Sequence, residues 1–313
     1  MIHLALTLIE AAKQIENPIQ SGLVEQFARS TDILMALPFE GIQGNALRYN
    51  REQTLPGIGF RGVNEQYQES TGILNPVSEP LVIAGGDLDV DRFLIETMGA
   101  GIRTTHEMMK VKALSLAWGR TFIKGDSTVN PRVFDGLQSR CTGAQLITTG
   151  NNNNGQALSL TVLDQLIDQV ENPTHLIMSK AMRRRLTQAA RAQAVGGLIA
   201  FNQDTWGRTQ TLYNELPILI AGDDNVGNGV LDFDELNPAA AVPAAVCTSI
   251  YCVSLGSGML TGIQSGAMSV KDLGELDDAP VFRTRLEWYS GIAVFHGKAA
   301  ARLAGISNAA VVA

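Results

Sequence analysis

Between residues 280 and 306, Phe282, Thr284, Leu286 and Trp288 alternate with Arg283, Arg285, Glu287 and Tyr289. A period of two places the first set on one face of a strand and the second on the other. Gly291 then permits a turn or bulge, after which the apolar run 292–295 resumes the sheet. A closing segment so regularly patterned completes a domain begun upstream, so its partner strands are expected earlier in the chain.

Residues 101–123 read as one long helix. Ile102, Met109, Ala113, Leu116 and Ala117 form one apolar stripe, and Met108, Val111, Trp118 and Phe122 form a second. At ~1.5 Å per residue the helix spans roughly 35 Å. Apolar on more than one side, it is expected to be a spine with sheet packed on it. Lys124 and Gly125 supply C-terminal charge and a left-handed cap. In front of it, residues 81–96 have strand character, Leu88 and Val90 alternating with Asp87, Asp89 and Asp91. Residues 4–39 place Leu6, Ile9, Ile15, Leu23, Phe27, Ile33, Leu34 and Leu37 among polar positions, interrupted by Pro18 and closed by Pro38, which predicts short amphipathic helices in an arm.

Residues 45–80 break the pattern. Arg48, Arg51, Arg61, Glu52, Glu65, Glu69 and Glu79 are interspersed with Gly57, Gly59, Gly62, Gly72 and three prolines, leaving little to pack. Such a stretch inside a folded chain is either disordered or a projecting hairpin that needs a partner surface. Beyond a low-complexity bridge at 148–155, rich in asparagine, an α/β pattern follows: helix 158–170, strand 175–178, helix 180–191 and strand 216–220, whose Pro217 favours a sheet edge or the strand's start. A strand at 249–254 leads to the closing segment. The fold class is α+β, with an α/β lobe inserted between the spine helix and the returning strands.

The 313 residues are 45% hydrophobic, enough for a sizeable core, and the net charge is −7. That acidity argues against a large basic field for gripping nucleic-acid phosphates. Cys141, Cys247 and Cys252 form no even disulfide framework, and no second Cys or His pair completes a zinc set around the last two. They read as reduced structural thiols. The apolar run at the N-terminus is too short to span a membrane and has no basic region before it, while Glu10 and Glu16 break any secretory pattern. Synthesis in the cytosol without a cleaved address, and no membrane partner, are expected.

Candidate chemistry yields near misses. Read as an EF-hand loop, 224–235 offers Asp224, Asn228, Gly229, Asp232 and Glu235 at suitable positions, but Val226 at the third has no side-chain oxygen and the loop follows a strand; an acidic turn is the better reading. Gly57, Gly59 and Gly62 match G-x-G-x-x-G with neither a buried strand before them nor an apolar helix after. The 291–298 segment is one residue too long for a phosphate loop. His3, His106, His175 and His296 are scattered without ligand spacing, His296 reading as a hydrogen-bonded strand end. No catalytic, cofactor or metal residue is assigned. Arg183, Arg184 and Arg185 form either a solvated helix face or an intersubunit salt-bridge patch.

The C-terminal segment, with Arg283, Arg285, Glu287 and Trp288 leading into G-x-A-V-F-H-G from Gly291, closely resembles tailed-phage major capsid proteins of the HK97 fold. F-I-x-G-D at 122–126, F-D-G-L at 134–137 and the polar loop before Leu81 extend the resemblance over nearly the whole chain. The family's fold implies an N-terminal arm (1–44), an extended E-loop lying across a neighbour (45–80), a peripheral domain with the spine helix (81–145), an axial domain (146–270) and returning peripheral strands (271–313). It implies a structural subunit that assembles with itself, as hexamers and pentamers, into an icosahedral head in the host cytoplasm. That head encloses double-stranded DNA without sequence-specific contact and is served by a portal and a separate scaffold protein. An encapsulin-type compartment shell is the alternative, and an α/β enzyme or calcium-binding module a more distant one. No lysine lies between Lys13 and Lys110, so a covalent network through a loop lysine is not expected. On this resemblance Arg48, Arg51, Glu52, Arg61, Glu65 and Glu69 set register against a neighbour's spine region.

Overall fold

The computed structural model describes residues 31–99, 101–191, 199–203 and 209–312. In chain order the elements are α1 (Asp32–Ala36), β1 (Phe39–Gly41), β2 (Ala46–Thr54), β3 (Ile73–Pro80), β4 (Val82–Asp91), α2 (Arg92–Met98), α3 (Gly101–Lys124), α4 (Leu137–Arg140), β5 (Leu146–Thr148), α5 (Leu160–Asp168), β6 (His175–Met178), α6 (Lys180–Ala189), β7 (Ile199–Gln203), β8 (Thr209–Tyr213), β9 (Leu216–Ile220), β10 (Thr248–Val253), β11 (Leu260–Gln264), β12 (Ser269–Glu275), β13 (Val281–Val294) and β14 (Ala300–Ile306). The arm helices expected before residue 31 lie outside the described residues.

β13 organises a five-stranded sheet. It pairs antiparallel with β4 from Val281↔Asp91 to Ser290↔Val82, while its other edge takes β12 along the first half and β11 along the second, and β1 adds in parallel to β11. The alternation read from the sequence decides the faces. Thr284, Leu286 and Trp288 are buried, and on the opposite face Arg283 and Arg285 pair bidentately with Asp89 and Asp87 at 2.7–2.8 Å. Trp288 meets Phe39 and Trp118, and Trp118 stacks on Phe122, with ring centroids 5.4–5.7 Å apart. Both indoles are satisfied, Trp118 donating to Ser290 Oγ and Trp288 to Gln264 Oε1, each at 3.1 Å.

α3 carries 24 residues with neither proline nor a β-branched run to interrupt it. Val111, Trp118 and Phe122 are buried, Ile102, Ala113 and Leu116 of the other stripe are half-buried, and one methionine of each stripe, Met108 and Met109, is exposed. Gly125 does not adopt the expected left-handed cap. Its glycine is required for another reason: a Cβ there would stand 2.3 Å from the Phe134 carbonyl oxygen and 2.4 Å from that of Thr121, because the 126–136 loop folds back on the helix end.

A seven-stranded sheet, ordered β5-β14-β10-β6-β9-β8-β7, forms the second layer. β6 and β9 are parallel, with α6 between them in sequence. Leu163 and Leu166 of α5 and Met182 and Leu186 of α6 bury one face of this sheet; Ile177, Leu219, Tyr251 and Val253 turn the other towards α1 and α3. Pro217 stands at the start of β9, before the ladder with β6 begins at Ile218.

Three further expectations change. Gly291 makes no turn: β13 runs unbroken through it, and the missing Cβ accommodates the Pro80 carbonyl oxygen, 3.1 Å from where that atom would be. The strand read over 81–96 stops at Asp91, whose carboxylate accepts the Phe93 N–H at 2.8 Å and starts α2. The closing segment is shared between the two sheets, β13 in the five-stranded one and β14 between β5 and β10, while β11, upstream of residue 271, already belongs to the five-stranded sheet. The turn at 295–299 permits the transfer, His296 accepting the Lys298 N–H on Nδ1 at 3.2 Å and facing Glu171 at 3.5 Å.

All three cysteines are free and buried. Burial pushes the Cys141 and Cys252 thiols up to about 12 and raises Cys247 as well. Iodoacetamide at pH 8 is therefore expected to leave native protein unlabelled and to modify all three sites in denaturant, as read by intact mass. Labelling of the native chain at any of them would contradict this packing.

Candidate assembly surfaces

β2 and β3 form an antiparallel hairpin that projects from the body, registered from Ala46↔Pro80 to Thr54↔Ile73. From Thr54 to Pro76 every residue is exposed. The tip is held by its own polar groups: Gly57 N–H donates to Ser70 Oγ at 2.7 Å, Gly62 N–H to Glu65 Oε2 at 2.8 Å, and the Arg61 guanidinium lies 5.1 Å from the Tyr67 ring centroid. This compact tip displays apolar side chains. Ile58 is 90% exposed, Phe60 104% and Val63 93%, with Leu55 and Tyr67 beside them in sequence. Single exposed apolar residues need no explanation, whereas several close together on a projecting hairpin make a candidate docking surface.

The residues singled out in the loop divide into two groups. Arg48, Glu52 and Glu69 are exposed, as are Arg61 and Glu65, which are engaged with each other's loop segment. Arg51 turns inward, its Nη2 donating to the Val294 carbonyl and lying 3.3 Å from the Tyr49 hydroxyl. In the sequence the charges of this loop stand out, whereas its apolar residues follow no period. The overlooked signal is five large apolar side chains between 55 and 67 in an otherwise polar stretch.

On α6, Arg184 is exposed and Arg183 half-buried, while Arg185 donates to Asn308 Oδ1 at 3.1 Å. Lys180, one turn earlier, binds Asp223 at 2.6 Å. A second apolar surface lies on α2 and the first half of α3, where Phe93, Met98 and Met109 are 68%, 70% and 62% exposed.

The near-miss motifs find structural roles. Asp224 Oδ1 accepts the Val226 and Asn228 N–H groups at 2.9 Å each, and these backbone donors hold its carboxyl below the usual range. Glu235, its supposed partner in a calcium loop, instead faces Arg302 and Ser249. Among the described residues no group of three metal-ligating side chains converges. The glycines at 57, 59 and 62 lie on the exposed hairpin tip.

No family model and no curated protein matches the sequence. Solved structures do match in fold. The chain superposes on the SrpI encapsulin of Synechococcus elongatus PCC 7942 with a TM-score of 0.64 at 15% identity, covering 90% of this chain and 89% of that one. It matches the capsid of the native GTA particle at 0.60 and 14%, covering 89% and 91%, and a protein of Mycobacterium phage Bobi at 0.59 and 13%, covering 95% and 98%. The architecture is the HK97-like capsid fold.

Proposed function

We propose that this chain, built on the HK97-like capsid fold, is a phage major capsid subunit that assembles as hexamers and pentamers into an icosahedral head around double-stranded DNA. The hairpin carries the reading. It extends away from its own body and ends in Ile58, Phe60 and Val63, apolar side chains that a second copy would cover. Apolar burial supplies the affinity of that contact, and Arg48, Glu52, Arg61, Glu65 and Glu69 set its register. α3 and the five-stranded sheet serve as the peripheral part, and the seven-stranded sheet as the axial part that meets neighbours around the symmetry axes. A net charge of −7 suits an interior that encloses DNA without clasping it. The role is structural, a portal and a separate scaffold protein complete the particle, and its location is the virion, assembled in the host cytoplasm.

The likeness to the SrpI encapsulin supports a second reading, a compartment shell. Electron microscopy of the expressed chain tests shell formation: hollow shells or capsomers are expected, and small monodisperse particles would overturn both readings. Shells from native particles separate the two. A head holds double-stranded DNA and a portal, a compartment a cargo protein.

A further inference from the structure

The hairpin root is fastened to the body by a polar seat. In the strand register, residues 47, 49 and 51 stand opposite 79, 77 and 75, so Tyr49, Arg51 and Glu79 share one face. The Tyr49 hydroxyl lies 2.8 Å from the Val294 carbonyl oxygen and 3.2 Å from Glu79 Oε1, and its ring rests on Phe295 with centroids 4.7 Å apart. Arg51 reaches the same carbonyl. Glu79, buried, takes a bidentate pair from Arg140 at 2.6 and 2.7 Å, and Arg140 Nε donates to the Asp135 carbonyl at 2.7 Å. Val294 and Phe295 mark the point where the chain leaves the five-stranded sheet for β14 of the seven-stranded one, and Arg140 closes α4 shortly before β5 of that same sheet. The seat therefore rests on the joint between the two sheets.

We propose that Tyr49, Arg51, Glu79 and Arg140 are positioning residues that fix the angle at which the hairpin leaves the subunit, and with it the angle between neighbouring copies. The proposal rests on the shell reading. From Tyr49 to the end of β2 is roughly 17 Å of strand, so a swing of about 10° at the seat moves that end by roughly 3 Å, about one residue of register. A bidentate guanidinium–carboxylate pair resists such a swing better than a single point contact, because its two parallel bonds fix orientation as well as distance. Neutralising both partners removes the ion pair without leaving a buried charge alone.

The test uses the full chain in three variants: Glu79→Gln with Arg140→Gln, Arg140→Lys, and Tyr49→Phe. In unassembled subunits, hydrogen exchange of residues 46–51 and 75–80 is expected to rise about tenfold in the double variant, with α3 unchanged and Arg140→Lys intermediate. In assembled material, electron microscopy is expected to show a broadened spread of diameters or open sheets. Wild-type exchange at the root, or faster exchange with an unchanged diameter distribution, overturns the proposal. If the double variant does not fold, Tyr49→Phe, which keeps the ring on Phe295, decides by the same two readouts. If the wild-type chain forms no shells, the shell reading fails by itself, and the exchange measurement alone judges whether the seat holds the hairpin.

Discussion

Replacing Ile58, Phe60 and Val63 together by serine is expected to abolish closed shells while leaving the subunit folded. The three side chains are almost wholly exposed, so their loss removes little buried apolar area from the described residues. In an assembled contact each large apolar side chain contributes ~1.5–3 kcal/mol on burial, so the triple change withdraws roughly 5–9 kcal/mol from every hairpin contact. Association must first overcome an estimated 4–15 kcal/mol of lost translational and rotational freedom. A contact weakened that far does not persist, and a shell repeats the loss at every copy. Sedimentation should then report subunits or capsomers, and thermal unfolding of the unassembled chain should be unchanged. Shells in wild-type yield would show that the tip does not carry assembly.

Arg302→Ala is expected to produce the largest loss of subunit stability. Arg302 lies in β14 at 7% exposure, its Nε donating to Ser249 Oγ at 3.0 Å and its Nη2 to Glu235 Oε2 at 2.9 Å. Glu235 is 6% exposed, and the next cation, Lys124 Nζ, is 3.8 Å from its other oxygen. Removing the guanidinium leaves a buried carboxylate without its principal counter-charge, a defect that costs about 3–5 kcal/mol. Against a total stability of about 5–15 kcal/mol that is a large fraction. Replacing the pair together, as Glu235→Gln with Arg302→Met, is expected to cost much less because no charge is stranded. Denaturant titration of unassembled subunits distinguishes the two cases, and equal losses in both would refute the argument. The Asp89–Arg283 pair has comparable geometry but faces solvent, so its disruption should be far milder.

Neither Arg302 nor the hairpin seat could be read from the chain. Arg302 is one charge in an otherwise apolar strand, and its partner Glu235 is 67 residues away in sequence, in a stretch that reads as an acidic turn. Glu79 and Arg140 are separated by 61 residues and carry no shared motif. Pair contacts between remote segments depend on how layers stack, and a local pattern holds no information about that. Gly291 and Gly125 illustrate the same limit. A glycine in sequence announces permissive backbone, yet at Gly125 a Cβ would collide with the Phe134 carbonyl oxygen and at Gly291 it would crowd that of Pro80.

What the sequence determined by itself was local and periodic. The two-residue alternation of 282–289 set which side of β13 is buried, the helical spacing of Val111, Trp118 and Phe122 set one buried stripe of α3, and the glycine- and proline-broken polarity of 45–80 set a segment with little to pack. Each follows from backbone geometry acting on neighbouring residues, and each survives in the fold. The tertiary structure alone decided that the closing segment divides between two sheets, that Arg51 turns inward instead of outward, and that an arm read as charged presents an apolar tip. Those outcomes depend on which surfaces remain uncovered after the layers have packed, and that is fixed only when residues far apart in the chain compete for the same buried space.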